Sequence, residues 1–348
     1  MSKPILGIIG GGQLGSMLAI AANKLEIKTV IFCDDIDAPA QNFSNDFVHG
    51  EYNDKNKINE FLSKVDVVTY EFENIPYETL NEINKIKPVL PKPSVNRIIQ
   101  HRLAEKDFIN NLNIRTTRYV SIEKKSEMEP VEDLLPGILK TTTLGYDGKG
   151  QHPISSLENL DSIDVDYSKG YILEKLVKLK KEISIIITRF DIQKYEIYEP
   201  IENEHEDQIL RNSKIPAEIS DKILEQSKLW ATTIAEELKY VGTLCVEFFI
   251  DRNDNLYVNE IAPRVHNSGH LTINAYNVSQ FENHVRAVCK LEQIPLKKIS
   301  NAMMTNIIGD QITNYRNKEH NENEFFFDYL KKEIKPKRKM GHLTTLLK

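Results

Sequence analysis

Between residues 5 and 70 the chain alternates short apolar runs with amphipathic stretches, a pattern that a parallel sheet flanked by helices accommodates and few other folds do. Residues 5–9 read as a buried strand, 14–24 as a helix, 29–32 as the next strand and 65–70 as a further one. The stretch 87–93 carries Pro88, Pro91 and Pro93, which lack the N–H of a ladder and restrain their neighbours, so a domain boundary is expected close to residue 93. Residues 94–113 are helical by pattern, with Ser94 as N-cap. Extended segments rich in Ile, Val and Thr follow, the cleanest at 182–190 and 244–250. Residues 220–239 read as a helix whose stripe of Ile223, Leu224, Leu229, Trp230, Ile234 and Leu238 packs into a core. A shorter section begins after Pro295, and its stretch 331–339 carries six basic residues against the single acid Glu333. The expected sections are therefore 1–93, 94–295 and 296–348.

Composition narrows the function. The 45 Lys and Arg against 51 Asp and Glu give a net charge of −6, which argues against a surface built to grip nucleic-acid phosphates. Cys33, Cys245 and Cys289 form no CxxC pair, so neither a disulfide framework nor a thiolate zinc site is encoded and a reducing cytoplasm is expected. The start imitates a secretion signal, with Lys3 before an apolar run, but Gly10, Gly11, Gly12 and Gly15 break the core such a signal needs. No run approaches the roughly 18 apolar residues that span a bilayer.

Four motifs carry chemistry. Gly10-Gly11-Gly12-Gln13-Leu14-Gly15 follows a strand and opens a helix, with Asp34 and Asp35 near the next strand end, which fits a dinucleotide-binding turn. Read alone it points to a nicotinamide-dependent oxidoreductase; the alternative is a bare strand-to-helix turn. Gly145-Tyr146-Asp147-Gly148-Lys149-Gly150-Gln151, five residues after Lys140, suits either a lid over nucleotide phosphates or a hairpin turn. Two strands joined by the polar turn 251–255 would bring Glu247 and Glu260 together beside Asn259, an oxygen-rich set that Mg²⁺ favours; the alternative is a pair of solvated strand residues. Arg264, His266, Asn267, Ser268 and His270 then concentrate donors suited to a small oxyanion such as bicarbonate or phosphate. A zinc site on His266 and His270 is disfavoured because no third ligand is spaced for it.

In order along the chain, Gly10-Gly11-Gly12-Gln13-Leu14-Gly15, Tyr70-Glu71-Phe72-Glu73-Asn74-Ile75-Pro76, the loop 145–151, the run 259–270 and Arg338-Lys339-Met340-Gly341-His342 resemble the N5-carboxyaminoimidazole ribonucleotide synthetase family of bacterial and fungal purine synthesis. The resemblance spans residues 5 to about 344, and departs from the family pattern in the acidic, Phe-rich 319–327. It implies a three-domain ATP-grasp fold of α/β and α+β class: an N-terminal Rossmann-like parallel sheet, a central ATP-grasp region and a small C-terminal β-rich domain. It also implies ATP, bicarbonate and 5-aminoimidazole ribonucleotide as substrates, Mg²⁺, and a homodimer with no nucleic-acid or membrane partner.

The same resemblance assigns residues. Gln13, Leu14 and Glu73 would face the ribonucleotide, with Lys331 and Arg338 on its phosphate. Arg102 and Lys140 correspond to ATP phosphate contacts, and Gly145, Tyr146, Asp147, Gly148, Lys149, Gly150 and Gln151 to the loop over them. Glu174, Lys175, Leu176 and Val177 match an adenine-reading hinge, Glu182 the ribose acid, and His205 and Asn259 further nucleotide contacts. Glu247 and Glu260 match the metal ligands. Tyr146, Asp147, Lys149, Arg264, His266 and Asn267 surround bicarbonate and the amine, with Asp147 as proton acceptor. A formate-dependent ribonucleotide transformylase is the nearest rival, and 263–270 after Asn259-Glu260 favours the carboxylase; a nicotinamide dehydrogenase and a non-catalytic nucleotide binder are the others.

Overall fold

The computed structural model describes residues 3–122, 132–143 and 150–347. Three short apolar runs and a polar edge strand form one parallel sheet, in the order β3 (Asp46–His49), β2 (Thr29–Cys33), β1 (Leu6–Ile9), β4 (Val67–Tyr70). β1, β2 and β4 are buried along their whole length, as strands covered by helices on both faces must be, whereas the edge strand β3 buries only Val48. The helix Gln13–Lys24 packs Leu18 and Ala22 into a core shared with Phe281, Val285 and Val288 of the helix Gln280–Val288. That contact ties the first section to the middle of the chain.

The expected helix over 94–113 is two helices, Pro93–Ile99 and Arg102–Asn111. The break falls at His101, whose backbone is extended, and the Arg102 amide turns to the Thr142 carbonyl at 2.8 Å. Pro93, not Ser94, sets the start: it sits at the first helical position, where its missing N–H is no loss, and Lys92 is the cap. The helix over 220–239 is present as Asp221–Glu237, with the Ser220 hydroxyl accepting from the Ile223 amide. Leu229 departs from its expected stripe and is 63% exposed, because it lies well round the helix from Ile223, Ala231 and Ile234, which are buried.

Two antiparallel sheets follow. The smaller has the order β5 (Tyr119–Ile122), β8 (Tyr171–Lys175), β6 (Gly137–Thr141), β7 (Gln151–Ile154). The larger has nine strands: β9 (Leu179–Asp191), β10 (Lys194–Ile197), β11 (Ile201–Glu206), β12 (Ile209–Ile215), β13 (Gly242–Asp251), β14 (Leu256–Ala262), β15 (Asn301–Ile308), β16 (Glu324–Asp328) and β17 (Lys339–Leu347). Their order is β14-β13-β9-β11-β12-β15-β17-β16, with β10 paired to β9. The last section thus continues the central sheet, Asn212 of β12 facing Thr305 of β15. Among the described residues no helix is long and apolar enough to cross a membrane.

Candidate functional site

A cavity of about 950 Å³ opens between the two antiparallel sheets and reaches the glycine turn and the basic segment. Of the described residues to which the family resemblance assigns a role, all line it except Gly150, whereas Ser268 and His270 of the donor-rich run do not. Gly145, Tyr146, Asp147, Gly148 and Lys149 lie outside the described residues. The strands flanking that loop are an antiparallel hairpin, with Lys140 opposite Gln151 at its mouth.

At one end, β6 and β8 lie side by side and present Lys140 and Glu174. The Glu174 oxygen Oε2 takes Lys140 Nζ at 3.2 Å, Lys106 Nζ at 3.3 Å and the Thr117 hydroxyl at 2.9 Å. Burial opposes ionisation of Glu174, but the two ammonium groups outweigh it and hold its carboxyl down at about 2. Its other oxygen, Oε1, is buried without a hydrogen-bond partner among the described residues. The Lys175 and Leu176 amides of the hinge donate to the Arg118 and Pro136 carbonyls, both at 2.9 Å. Deeper in, His205 Nδ1 of β11 meets Glu182 Oε2 of β9 at 2.8 Å. Burial would lower the His205 imidazole, but the hydrogen-bonded Glu182 carboxylate raises it above its ordinary value.

At the centre, Glu247 of β13 stands directly opposite Glu260 of β14, with an irregularity immediately after Glu247. The two acids face one cavity rather than separate compartments. Burial, then the charge of Glu260, push the Glu247 carboxyl up to about 7. The pair offers carboxylate oxygens of the kind that fit Mg²⁺, and Cys245 and His266 bring a thiol and an imidazole within 4.8 Å of Glu247. Arg102 Nη1 lies 3.7 Å from Glu260 Oε2. Glu105, which the sequence did not single out, also lines the cavity: its Oε1 accepts the Ile261 amide at 2.6 Å, and burial with the Glu260 charge raises its carboxyl to about 8.

The donor-rich run after β14 is spread among partners. Arg264 holds Glu73 through two bonds, Nε to Oε2 at 2.5 Å and Nη2 to Oε1 at 3.2 Å, so a residue expected at bicarbonate and one expected at the ribonucleotide are joined. Burial works against the Glu73 carboxylate, yet Arg264 holds it below the usual range. His266 places Nε2 3.3 Å from Glu247 and Nδ1 2.9 Å from the Ser268 hydroxyl; burial and then Arg264 keep it neutral. Asn267 exchanges amide bonds with Asn306 at 3.1 and 2.6 Å. His270 turns away to Gln13, 2.8 Å between their Nε2 atoms, so the two imidazoles share no metal position.

At the far end the glycine turn is occupied from within. The Gly12 and Gly15 amides donate to the two oxygens of Glu71. Lys331 Nζ bonds the Lys339 carbonyl at 2.6 Å and Gln13 Oε1 at 3.4 Å, and Arg338 Nη1 bonds the Glu333 carbonyl at 3.2 Å. Lys106 and Glu71 were missed by sequence reasoning, although Glu71 stands inside the motif 70–76.

Residues 2–100 match the ribonucleotide synthetase preATP-grasp domain, 107–281 the ATP-grasp domain, and 302–348 the phosphoribosylaminoimidazole carboxylase C-terminal domain. The N5-carboxyaminoimidazole ribonucleotide synthase of Staphylococcus aureus (strain MRSA252) is 36% identical over 347 residues, 98% of this chain and 92% of its own. A crystal structure of an N5-carboxyaminoimidazole ribonucleotide synthetase in complex with ADP superposes with a TM-score of 0.94 at 34% identity, over 100% of this chain and 94% of that one. The Aspergillus clavatus synthase in complex with ADP and 5-aminoimidazole ribonucleotide gives a TM-score of 0.90 at 27% identity, over 99% and 94%.

Proposed function

The chain belongs to the N5-carboxyaminoimidazole ribonucleotide synthases of the ATP-grasp fold, and from that premise we propose how its residues share the work of the reaction. It is an ATP-dependent carbon–nitrogen ligase that carboxylates 5-aminoimidazole ribonucleotide. Bicarbonate is a poor electrophile, so one of its oxygens attacks the γ-phosphorus of ATP, giving ADP and carboxyphosphate. The exocyclic amine then attacks the activated carbon, phosphate leaves, and the amine gives up a proton.

Arg102 and Lys140 hold the phosphates, and Glu182 with His205 the ribose. Adenine is read at the hinge 174–177 by main-chain groups other than the Lys175 and Leu176 amides, which are engaged. Glu247 and Glu260, beside Asn259, would hold Mg²⁺, which when bound offsets charge on phosphoryl oxygens. Tyr146, Asp147, Lys149, Arg264, His266 and Asn267 orient bicarbonate and the amine, Asp147 accepting the proton, and the loop 145–151 keeps water from the mixed anhydride. Gln13, Leu14 and Glu73 hold the ribonucleotide, and Lys331 and Arg338 its phosphate. A cytoplasmic homodimer accompanies this reading; the three cysteines are buried and unpaired, in keeping with a reducing compartment, and light scattering tests the dimer.

The observation that carries the proposal is the Glu247–Glu260 register pair facing a cavity that also receives Lys140, Arg264 and Lys331. With Mg²⁺, ATP, bicarbonate and aminoimidazole ribonucleotide the protein should release ADP, and omission of either co-substrate should sharply reduce it. ADP release indifferent to both would refute the assignment. Formate that replaced bicarbonate would move it to the transformylases.

A further inference from the structure

The turn that sequence reasoning offered to a phosphate already holds a carboxyl group of the chain itself; burial raises its pKa, and the Gly15 and Gly12 amides that donate to it work the other way, favouring its charged form. Glu71 follows β4, is 7% exposed, and receives the Gly12 amide on Oε1 and the Gly15 amide on Oε2. The glycines are shaped around it. A Cβ on Gly10 would lie 2.5 Å from Glu71 Cγ and one on Gly12 2.8 Å from Oε1, while one on Gly15 would meet the Gly10 carbonyl at 2.7 Å and Oε2 at 3.2 Å. Gly10 also adopts a φ of 99°, which favours glycine. Two amides at the start of the helix Gln13–Lys24, with the positive end of its dipole, are the groups that would otherwise meet a pyrophosphate.

Between the two bonded amides sits Gln13. Its side chain reaches His270 at 2.8 Å from the central section and Lys331 at 3.4 Å from the basic segment. A carboxylate that fixes the backbone on both sides of Gln13 therefore fixes where that amide points.

We propose that Glu71 is a built-in anion that fills the phosphate seat of the glycine turn, excludes a dinucleotide from it, and acts as the positioning residue for Gln13 in ribonucleotide recognition. The last part rests on the functional reading above; the first two do not.

Glu71→Ala removes a fragment the size of acetate. Acetate at tens of millimolar should raise the Tm of that variant by about 2–4 °C, with chloride as control, and leave the wild type unmoved. The variant's KM for aminoimidazole ribonucleotide should rise about tenfold to a hundredfold, as for loss of hydrogen bonds to a charged group, and fall again with acetate, while KM for ATP stays within about twofold. Glu71→Gln keeps the seat filled, so it should show the same KM split with no acetate rescue. An equal acetate response in wild type and Glu71→Ala would overturn the anion seat. An unchanged ribonucleotide KM in both variants would overturn the positioning role. If Glu71→Ala does not fold, a cooperative melt restored by acetate supports the seat, and Glu71→Gln decides the positioning role through its KM values. Failure of the wild type to release ADP in response to ribonucleotide would instead refute the functional reading, with the acetate arm still deciding the seat.

Discussion

Glu260 and Glu174 are both acids on strands at the cleft, yet their surroundings give them opposite tasks. Glu260 faces a second carboxylate and needs a cation, so Glu260→Gln should lower ADP release by orders of magnitude while leaving circular dichroism and Tm near the wild type. An active Glu260→Gln would remove it from metal binding. Glu174 instead neutralises two lysines, one of them 2% exposed, and Glu174→Gln leaves both short of a counter-charge. That variant should lose about 3–5 kcal/mol of stability in urea unfolding, as when one partner of a buried ion pair is removed. A loss below about 1 kcal/mol would show that water or relaxation reaches the lysines. The two acids across the hairpin were legible because a polar turn between apolar strands fixes an antiparallel register. Lys106 was not, since four residues from Arg102 on a short helix says nothing about which carboxylate, far along the chain, will meet it.

The helix Gln280–Val288 joins the first sheet to the central one through His284. The Thr243 amide donates to its Nδ1 at 3.0 Å, so Nε2 carries the hydrogen and donates to the Thr69 hydroxyl at 2.8 Å. Burial lowers this imidazole to about 4, against about 6.5 for an unfolded chain. As pH falls below 6.5 the unfolded chain binds the proton first, so this contribution is complete above that pH and is lost progressively down to about 4. His284→Gln should have a lower Tm at pH 7.5, and the wild-type advantage should shrink between pH 6.5 and 4; a constant gap would mean that folding does not lower the pKa of this ring. Elements of this kind were readable in type and not in extent. Richness in Ile, Val and Thr located β9 and β13, and an apolar stripe at helical spacing located the helix Asp221–Glu237, whereas the stop at His101 depends on Thr142, some forty residues away, which no local pattern records.

Across the whole molecule, the first sheet, the two antiparallel sheets and the basic segment converge on one cleft, so a nucleotide binding there should stabilise everything at once. ATP with Mg²⁺ at about 100 times its Kd should add about 2.7 kcal/mol, and NAD should add nothing, because the glycine turn is filled by Glu71. A Tm raised by NAD would contradict that. The pairing of β12 with β15 carries one more consequence. A protein cut after Pro295 would not be a tidy fragment: β12 would become a bare ribbon of backbone donors and acceptors, an open template on which other copies could stack. Such a truncation should precipitate on expression, and supplying 296–348 as a separate chain should restore it to solution by strand complementation.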